Sequence, residues 1–373
     1  MIGRFNFPAT KGPLMKKLLA LLALTATACT GTVEPPEPTP SDPTALEPVP
    51  LGQGFQFITQ ETEVPQGVER QDCYFFKVGE VAAANGLPPN EPINLHRVQI
   101  AQREGSHHMN IYRVRTLLEL DPANGLFQPN SNGTGPCFNS ANWADWPLLA
   151  NTQQKGTLDW TYPEGVANVI QPDEWLMVQT HYVNATTQKT PQDFGKVWVN
   201  FWVMPKEQVK HELGTIFATK QSIRICTKNP KPTFEGICQI SSKIPVQVIG
   251  ANGHFHSRGK EFRIYAWDGM SYQRPAETER FYTSLTWDDP PMERSPELNL
   301  TLKAGAGIWY TCSYEWLPPP VGCQALDAFD QKKNETAEDK LDCCYTFGPQ
   351  VDQNEHCNAF VYYYPKQDDV NCY

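Results

Sequence analysis

From Leu51 onward the chain is built from short runs of β-branched and aromatic residues, each cut off by Gly, Pro, Asn or Asp, and this texture leaves little room for long helices. The runs read as strands are Cys73 to Val78, Leu95 to Ala101, Met109 to Val114, Trp175 to Val183, Lys196 to Val203, Ile244 to Ile249, Glu261 to Trp267, Gly307 to Tyr314 and Ala359 to Tyr364. Such spacing predicts an all-β chain of tandem sandwiches or jelly rolls. The 33 prolines speak against a helical bundle. Ala325 to Leu341 is the one helical candidate, polar and read as an insertion. With 373 residues the chain suits more than one domain, and Val203-Met204-Pro205-Lys206 is the expected seam, giving bodies at 51–205 and 206–373.

The N-terminus reads as a leader. Met15-Lys16-Lys17, the apolar Leu18 to Leu24 and the small residues Ala26-Thr27-Ala28 outline a secretory signal over 1–28, with Met15 as the expected true start. Cleavage before Cys29, with lipid on the new N-terminal cysteine, is the expected processing; Ala26-Thr27-Ala28 also fits an ordinary secretory cut as the alternative. Thr30 to Pro50 holds seven prolines, so 29–50 is expected to be an extended tether. Losing the leader with its four basic residues moves the formal charge from −10 to −14, which argues against nucleic acid as a partner. No later stretch is long and apolar enough to span a bilayer. Ten cysteines remain beyond Cys29, an even number that reads as disulfides in an exported chain. The vicinal Cys343 and Cys344 are expected to bond to different partners.

The histidines carry the candidate chemistry. His107 and His108 are adjacent, so on a regular strand they point to opposite faces; both reach one ion only at a bulge or strand end, which Gly105-Ser106 permits. His181 shares a strand face with Met177 and Gln179. His254 and His256, spaced i and i+2, fall on one strand face, and His356 lies just before the last strand. His96 and His211 have no companions and are read as structural or exposed. Imidazoles suit zinc, copper, iron and nickel alike, so spacing leaves the metal and a zinc-hydrolase reading open.

Taken together, His107-His108-Met109, Thr180-His181-Tyr182, His254-Phe255-His256 and Cys357-Asn358 before an aromatic strand resemble, in order, the motifs of the copper type II, ascorbate-dependent monooxygenases. Pro163-Glu164-Gly165-Val166 ahead of the His181 strand matches as well. The resemblance covers Cys73 to Tyr364. It implies two jelly-roll-like β-sandwiches, each with one copper, facing each other across a solvent-filled cleft. His107, His108 and His181 would hold the electron-transfer copper; His254, His256 and a third ligand would hold the O2-activating copper. Ascorbate would supply the electrons for hydroxylating a C–H bond of a small organic substrate. The implied disulfides are Cys312–Cys357, Cys73–Cys137 and Cys238–Cys372, leaving Cys226, Cys323, Cys343 and Cys344 unassigned.

The chain departs from the family at informative places. The family's third ligand at the oxygen site is Met; His356 stands there, a harder donor that suits Cu(II). Met270 and Met292 are other thioethers in the same half. Asn252 and Phe360 replace the Arg and Tyr with which peptide-hydroxylating members grip a carboxylate, while Asn358 keeps its place as a substrate contact. Arg258 is read as an alternative anion contact or an exposed salt bridge. The rival reading is a copper-binding surface lipoprotein without turnover.

Overall fold

The computed structural model describes residues 42–103, 105–115, 127–131, 146–153, 156–184, 194–318, 343–348 and 351–373. The leader, Cys29, Cys137, Cys323 and the segment 325–341 lie outside these residues. The regular structure of the described residues is nearly all strand, as the sequence predicts, and the first of the two compact units ends at Ser41, so everything below concerns Asp42–Tyr373. No helix among the described residues is long and apolar enough to cross a membrane.

Six strands position the site: β1 (Glu69–Lys77), β2 (Ser106–Val114), β3 (Trp175–Val183), β4 (Gly214–Thr219), β5 (Val246–His254) and β6 (Asn358–Tyr364). In the N-terminal half, a five-stranded sheet runs Phe127–Ser131, β1, β3, β2, Leu148–Thr152. A six-stranded sheet covers it, with Gly54–Ile58, Val197–Val203, Ile93–Gln102, Val166–Ile170 and His211–Glu212 in order and Gly156–Thr161 beside Ile93–Gln102. Phe57 of the second sheet stacks on Phe76 of the first at 5.4 Å between centroids. In the C-terminal half β4, β6, β5 and Glu293–Arg294 form one sheet, with Leu300–Leu302 also on β5. A second five-stranded sheet there runs Arg280–Ser284, Gly259–Trp267, Gly307–Tyr314, Thr233–Ile240, Val370–Cys372. One short helix, α1 (Val78–Ala84), follows directly on β1, where the sequence reading ended a strand at Val78.

Alternation explains why the sheets carry chemistry. Along β2, Met109 and Ile111 enter the sandwich core while His108, Asn110 and Tyr112 take the opposite face. On β1, Tyr74 and Phe76 point inward and Gln71 points outward, opposite His181 of β3. A face carrying His, Asn and Gln would ordinarily meet water, yet these residues are buried, because the second half covers it. From that half β4 and β6 bring Phe217 and Phe360, stacked at 5.0 Å, and β6 also brings Tyr362. Part of the seam is dry: Ile249, Phe360 and Tyr362 join the apolar cluster of the N-terminal half, and Trp160 meets Tyr362 edge-on at 5.1 Å. Direct hydrogen bonds cross it too, from Trp160 Nε1 to Ser295 Oγ at 3.2 Å and from Tyr362 Oη to Asn151 Oδ1.

Disulfides pin the ends of these strands. Cys312–Cys357 and Cys238–Cys372 form as the resemblance implies, and Cys226 pairs with Cys344. Cys343 is also disulfide-bonded, so the vicinal pair does serve different partners. Cys73 is bonded as well; Cys137, its expected partner, is outside the described residues.

Candidate metal centre

The first trio forms around a local irregularity. β2 pairs with β3 so that His181 faces His108 and Tyr182 faces Ser106, which leaves His107 as the extra residue of a bulge. That bulge turns two adjacent imidazoles to one side, with ring centroids 5.2 Å (His107) and 4.7 Å (His108) from His181. His107 Nδ1 and His108 Nδ1 stand 2.8 Å apart, so only one of them can carry a hydrogen there. The remaining ligand is oriented by an acid: His181 Nε2 donates to Glu69 Oε1 at 2.7 Å, directing its Nδ1 away from the carboxylate. Burial raises the Glu69 carboxyl, but the bond from His181, the neighbouring His256 and the Val351 amide outweigh it and hold it below its ordinary value.

The second trio is built at a strand end. β5 stops at His254, so His256 stands just past the strand rather than on it, in the turn that leads to Gly259–Trp267. His356 comes from the turn between Asn354–Glu355 and β6, beside the Cys312–Cys357 bridge. Its ring lies 4.3 Å from that of His256 and 5.2 Å from that of His254, with Phe347 against its other face at 4.8 Å. Tyr314 Oη donates to the His356 carbonyl.

A buried carboxylate clamps this turn. Glu355, fully buried, accepts the amide hydrogens of His256 at 2.9 Å and Arg258 at 2.8 Å. Burial pushes its carboxyl up to about 8 against the lowering effect of those amides, of Arg258 and of the His356 amide. Arg258 corrects the sequence reading: it is 4% exposed, donates to the carbonyls of Val351 and Asp352, and lies over the Tyr345 ring at 3.9 Å. It is not an exposed salt bridge; its guanidinium braces the loop that precedes His356.

In each trio one nitrogen per ring lies within 4.8 Å of the others, the convergence a shared ion requires. Several of these atoms also lack another use. His181 Nδ1, His256 Nε2 and both ring nitrogens of His254 are buried with no hydrogen-bond partner among the described residues. Burial, reinforced by neighbouring imidazoles, lowers the basicity of His108, His254 and His356 well below the usual value; burial lowers His256 to about 4. Neutral rings with free lone pairs are what a metal needs, and three nitrogens per site fit copper, zinc, iron or nickel. Met270 is 78% exposed and Met292 is packed in the apolar cluster, so His356 is the residue that completes the second trio. His96 sits on a strand, and His211 is exposed beside Tyr364.

Between the two halves, the space beside the trios is narrow. The space between the trios, lined by His108, His254 and His356, has a volume of about 20 Å³, room for roughly one water. Its other walls are the carboxamides of Gln71, Asn110, Gln153, Gln179 and Asn358, with Tyr112, Phe217 and Phe360. The rings of His108 and His254 are only 4.7 Å apart across the seam. Asn358 therefore does line the centre, opposite Thr219 and His254 in its sheet. Asn252, where the family has Arg, is fully buried beside Phe360 in register.

Sequence reasoning missed Glu69, Glu355 and the true role of Arg258. Glu355 did carry a signal, an acid directly before a candidate ligand in Asn354-Glu355-His356. Glu69 carried none, since its contact with His181 arises from sheet pairing.

No family model and no curated protein matches the chain. Among solved structures, the crystal structure of the infectious bursal disease virus VP2 subviral particle is 11% identical, covering 88% of this chain and 78% of that one, with a TM-score of 0.19. The structure of the infectious bursal disease virus Gx strain is 9% identical, covering 89% of this chain and 82% of that one, with a TM-score of 0.14. Scores this low carry no inference about fold or function.

Proposed function

We propose that this chain is a copper-dependent monooxygenase that hydroxylates a C–H bond of a small organic substrate with O2, using ascorbate as electron donor. The observation that carries the reading is the convergence of six imidazoles, distant in sequence, into two buried trios. Copper bound to the trios would supply one-electron redox chemistry, one electron at each ion. The protein's own part is orientation and exclusion of water. Glu69 fixes His181, Glu355 fixes the backbone that carries His256 and His356, and the closely packed seam keeps bulk water from the rings. Substrate selection would fall to the carboxamides and aromatic rings. Among the described residues no lysine or arginine lines the space between the trios, which speaks against a carboxylate-bearing peptide as substrate. By the same reading the chain is exported and held at the cell envelope by lipid on Cys29, or secreted if the leader is cut in the ordinary way.

A second reading has an observation in its favour. A cleft of about 20 Å³ admits no organic substrate as it stands, which suits a copper-holding surface protein without turnover. The two separate on one measurement: oxygen uptake by the copper-loaded chain with ascorbate. An oxygenase consumes O2 only when a substrate is present and returns a hydroxylated product. Ascorbate oxidation that ignores added substrate and yields only peroxide would reject the oxygenase reading. Metal counting checks the sites themselves, since His254→Ala should retain one of two coppers.

A further inference from the structure

The resemblance implies two independent metal sites separated by solvent; the geometry on either side of the seam differs. His254 of the second trio lies 4.7 Å from His108 and 5.8 Å from His107 of the first, centroid to centroid. The first distance falls within the range found inside each trio, 4.3 Å (His256 to His356) to 5.2 Å (His107 to His181), and the second is only slightly longer. The six rings thus form one continuous cluster. The pocket beside His108, His254 and His356 admits about one water, and the 4.7 Å between the His108 and His254 rings leaves no room for a water between those two.

Two further contacts hold the cluster closed. Glu69, whose Oε1 accepts from His181 of the first trio, also accepts the amide of Val351 at 3.1 Å, in the loop that carries the second. Trp287, from the C-terminal half, lies against the His107 ring at 5.6 Å. Together with the dry contact of Trp160 and Tyr362, these ties grip the seam at several points. The ligand sets are also alike, three imidazoles on each side, because His356 stands where a thioether would have made the second site softer.

We propose that the six histidines form a single coupled dinuclear copper centre rather than two magnetically independent ions. The inference rests on the reading of both trios as copper sites. It goes beyond that reading in assigning the ions to one pocket, with both reducing equivalents stored side by side.

Electron paramagnetic resonance of the full chain loaded with two Cu(II) ions tests it. Coupled ions give an integrated intensity well below two spins per chain, or a dipolar-broadened spectrum with a half-field line. The single-site variants His254→Ala and His107→Ala should each bind one ion and return a sharp mononuclear signal at one spin per chain; two variants are used in case one fails to fold. Two sharp, uncoupled signals that integrate to two spins would overturn the coupled centre while leaving the oxygenase reading intact. Lost intensity in a variant that holds a single ion would overturn it as well. Fewer than two coppers per wild-type chain would overturn both readings.

Discussion

Removing the Glu355 carboxylate should be among the most damaging single changes in the C-terminal half. The side chain is fully buried, and its oxygens accept the amides of His256 at 2.9 Å and Arg258 at 2.8 Å, with the His356 amide also bonded to it. Glu355→Ala strands these three N–H groups in a site closed to water. A buried donor left unmade costs about 1–3 kcal/mol, so the three together should cost roughly 4 kcal/mol after some relaxation. Glu355→Gln keeps one acceptor oxygen and turns an amide NH2 toward the remaining donor, a loss of about 1–2 kcal/mol. Urea denaturation of the metal-free, disulfide-intact chain reads both values. Metal competition reads the second consequence, a fall in affinity at the second trio of about 10- to 100-fold with the first trio still loaded. An alanine variant within about 0.5 kcal/mol of wild type would refute the clamp and the positioning argument built on it.

Further expectations concern acid, the disulfide and Glu69. Burial lowers His108, His254, His256 and His356, so in metal-free protein the unfolded chain takes up four more protons on these residues as pH falls below their ordinary 6.5. Glu355, shifted upward by burial, offsets one of them. Stability is therefore present above pH 6.5 and lost on acidification toward about 4, on the order of 4 kcal/mol per pH unit at its steepest from these groups. A denaturation midpoint that stays flat from pH 6.5 to 5 would contradict this. Replacing both Cys312 and Cys357 with Ser opens a bridge spanning 45 residues and should cost about 4 kcal/mol, with weaker metal binding at His356, measurable by calorimetric titration. Glu69→Gln keeps an acceptor for His181 but removes the charge, and should weaken the first trio about tenfold in the same assay while sparing the fold.

What the sequence made legible was whatever depends on local pattern. Strands such as Trp175 to Val183 and Gly307 to Tyr314 match to the residue, because turn residues bound them on both sides. The need for a bulge at Gly105-Ser106 followed from the two-residue period of a strand, and it falls at His107. Contacts between distant strands were less accessible. Arg258 looks exposed in a Ser-Arg-Gly turn, yet it is buried because the loop around Val351 folds over it. The closeness of His108 and His254 is set by how two sheets abut, and the packing of Phe360 and Tyr362 into the neighbouring core has no signature in the local sequence. The helix α1 was missed because it is only seven residues long, and Gly79-Glu80 after the apolar run Cys73 to Val78 reads as the turn that ends a strand.

The balance of forces at the seam explains why such a cluster belongs to function rather than to stability. Burying imidazole nitrogens without partners is unfavourable, by about 1–3 kcal/mol for each such group. His181 Nδ1, His256 Nε2 and both nitrogens of His254 are in that position among the described residues. A seam selected for cohesion alone would extend the dry contact of Ile249, Phe360 and Tyr362 across the whole face. Here the apolar packing is confined to one part and the remainder is given to imidazoles and carboxamides, whose unmet lone pairs gain energy only when something electron-poor binds them. The dry part of the seam, the Glu69 latch and the Glu355 clamp hold those lone pairs in register beforehand. An ion entering either trio then meets neutral, desolvated and oriented donors, and the cost already built into the fold becomes affinity.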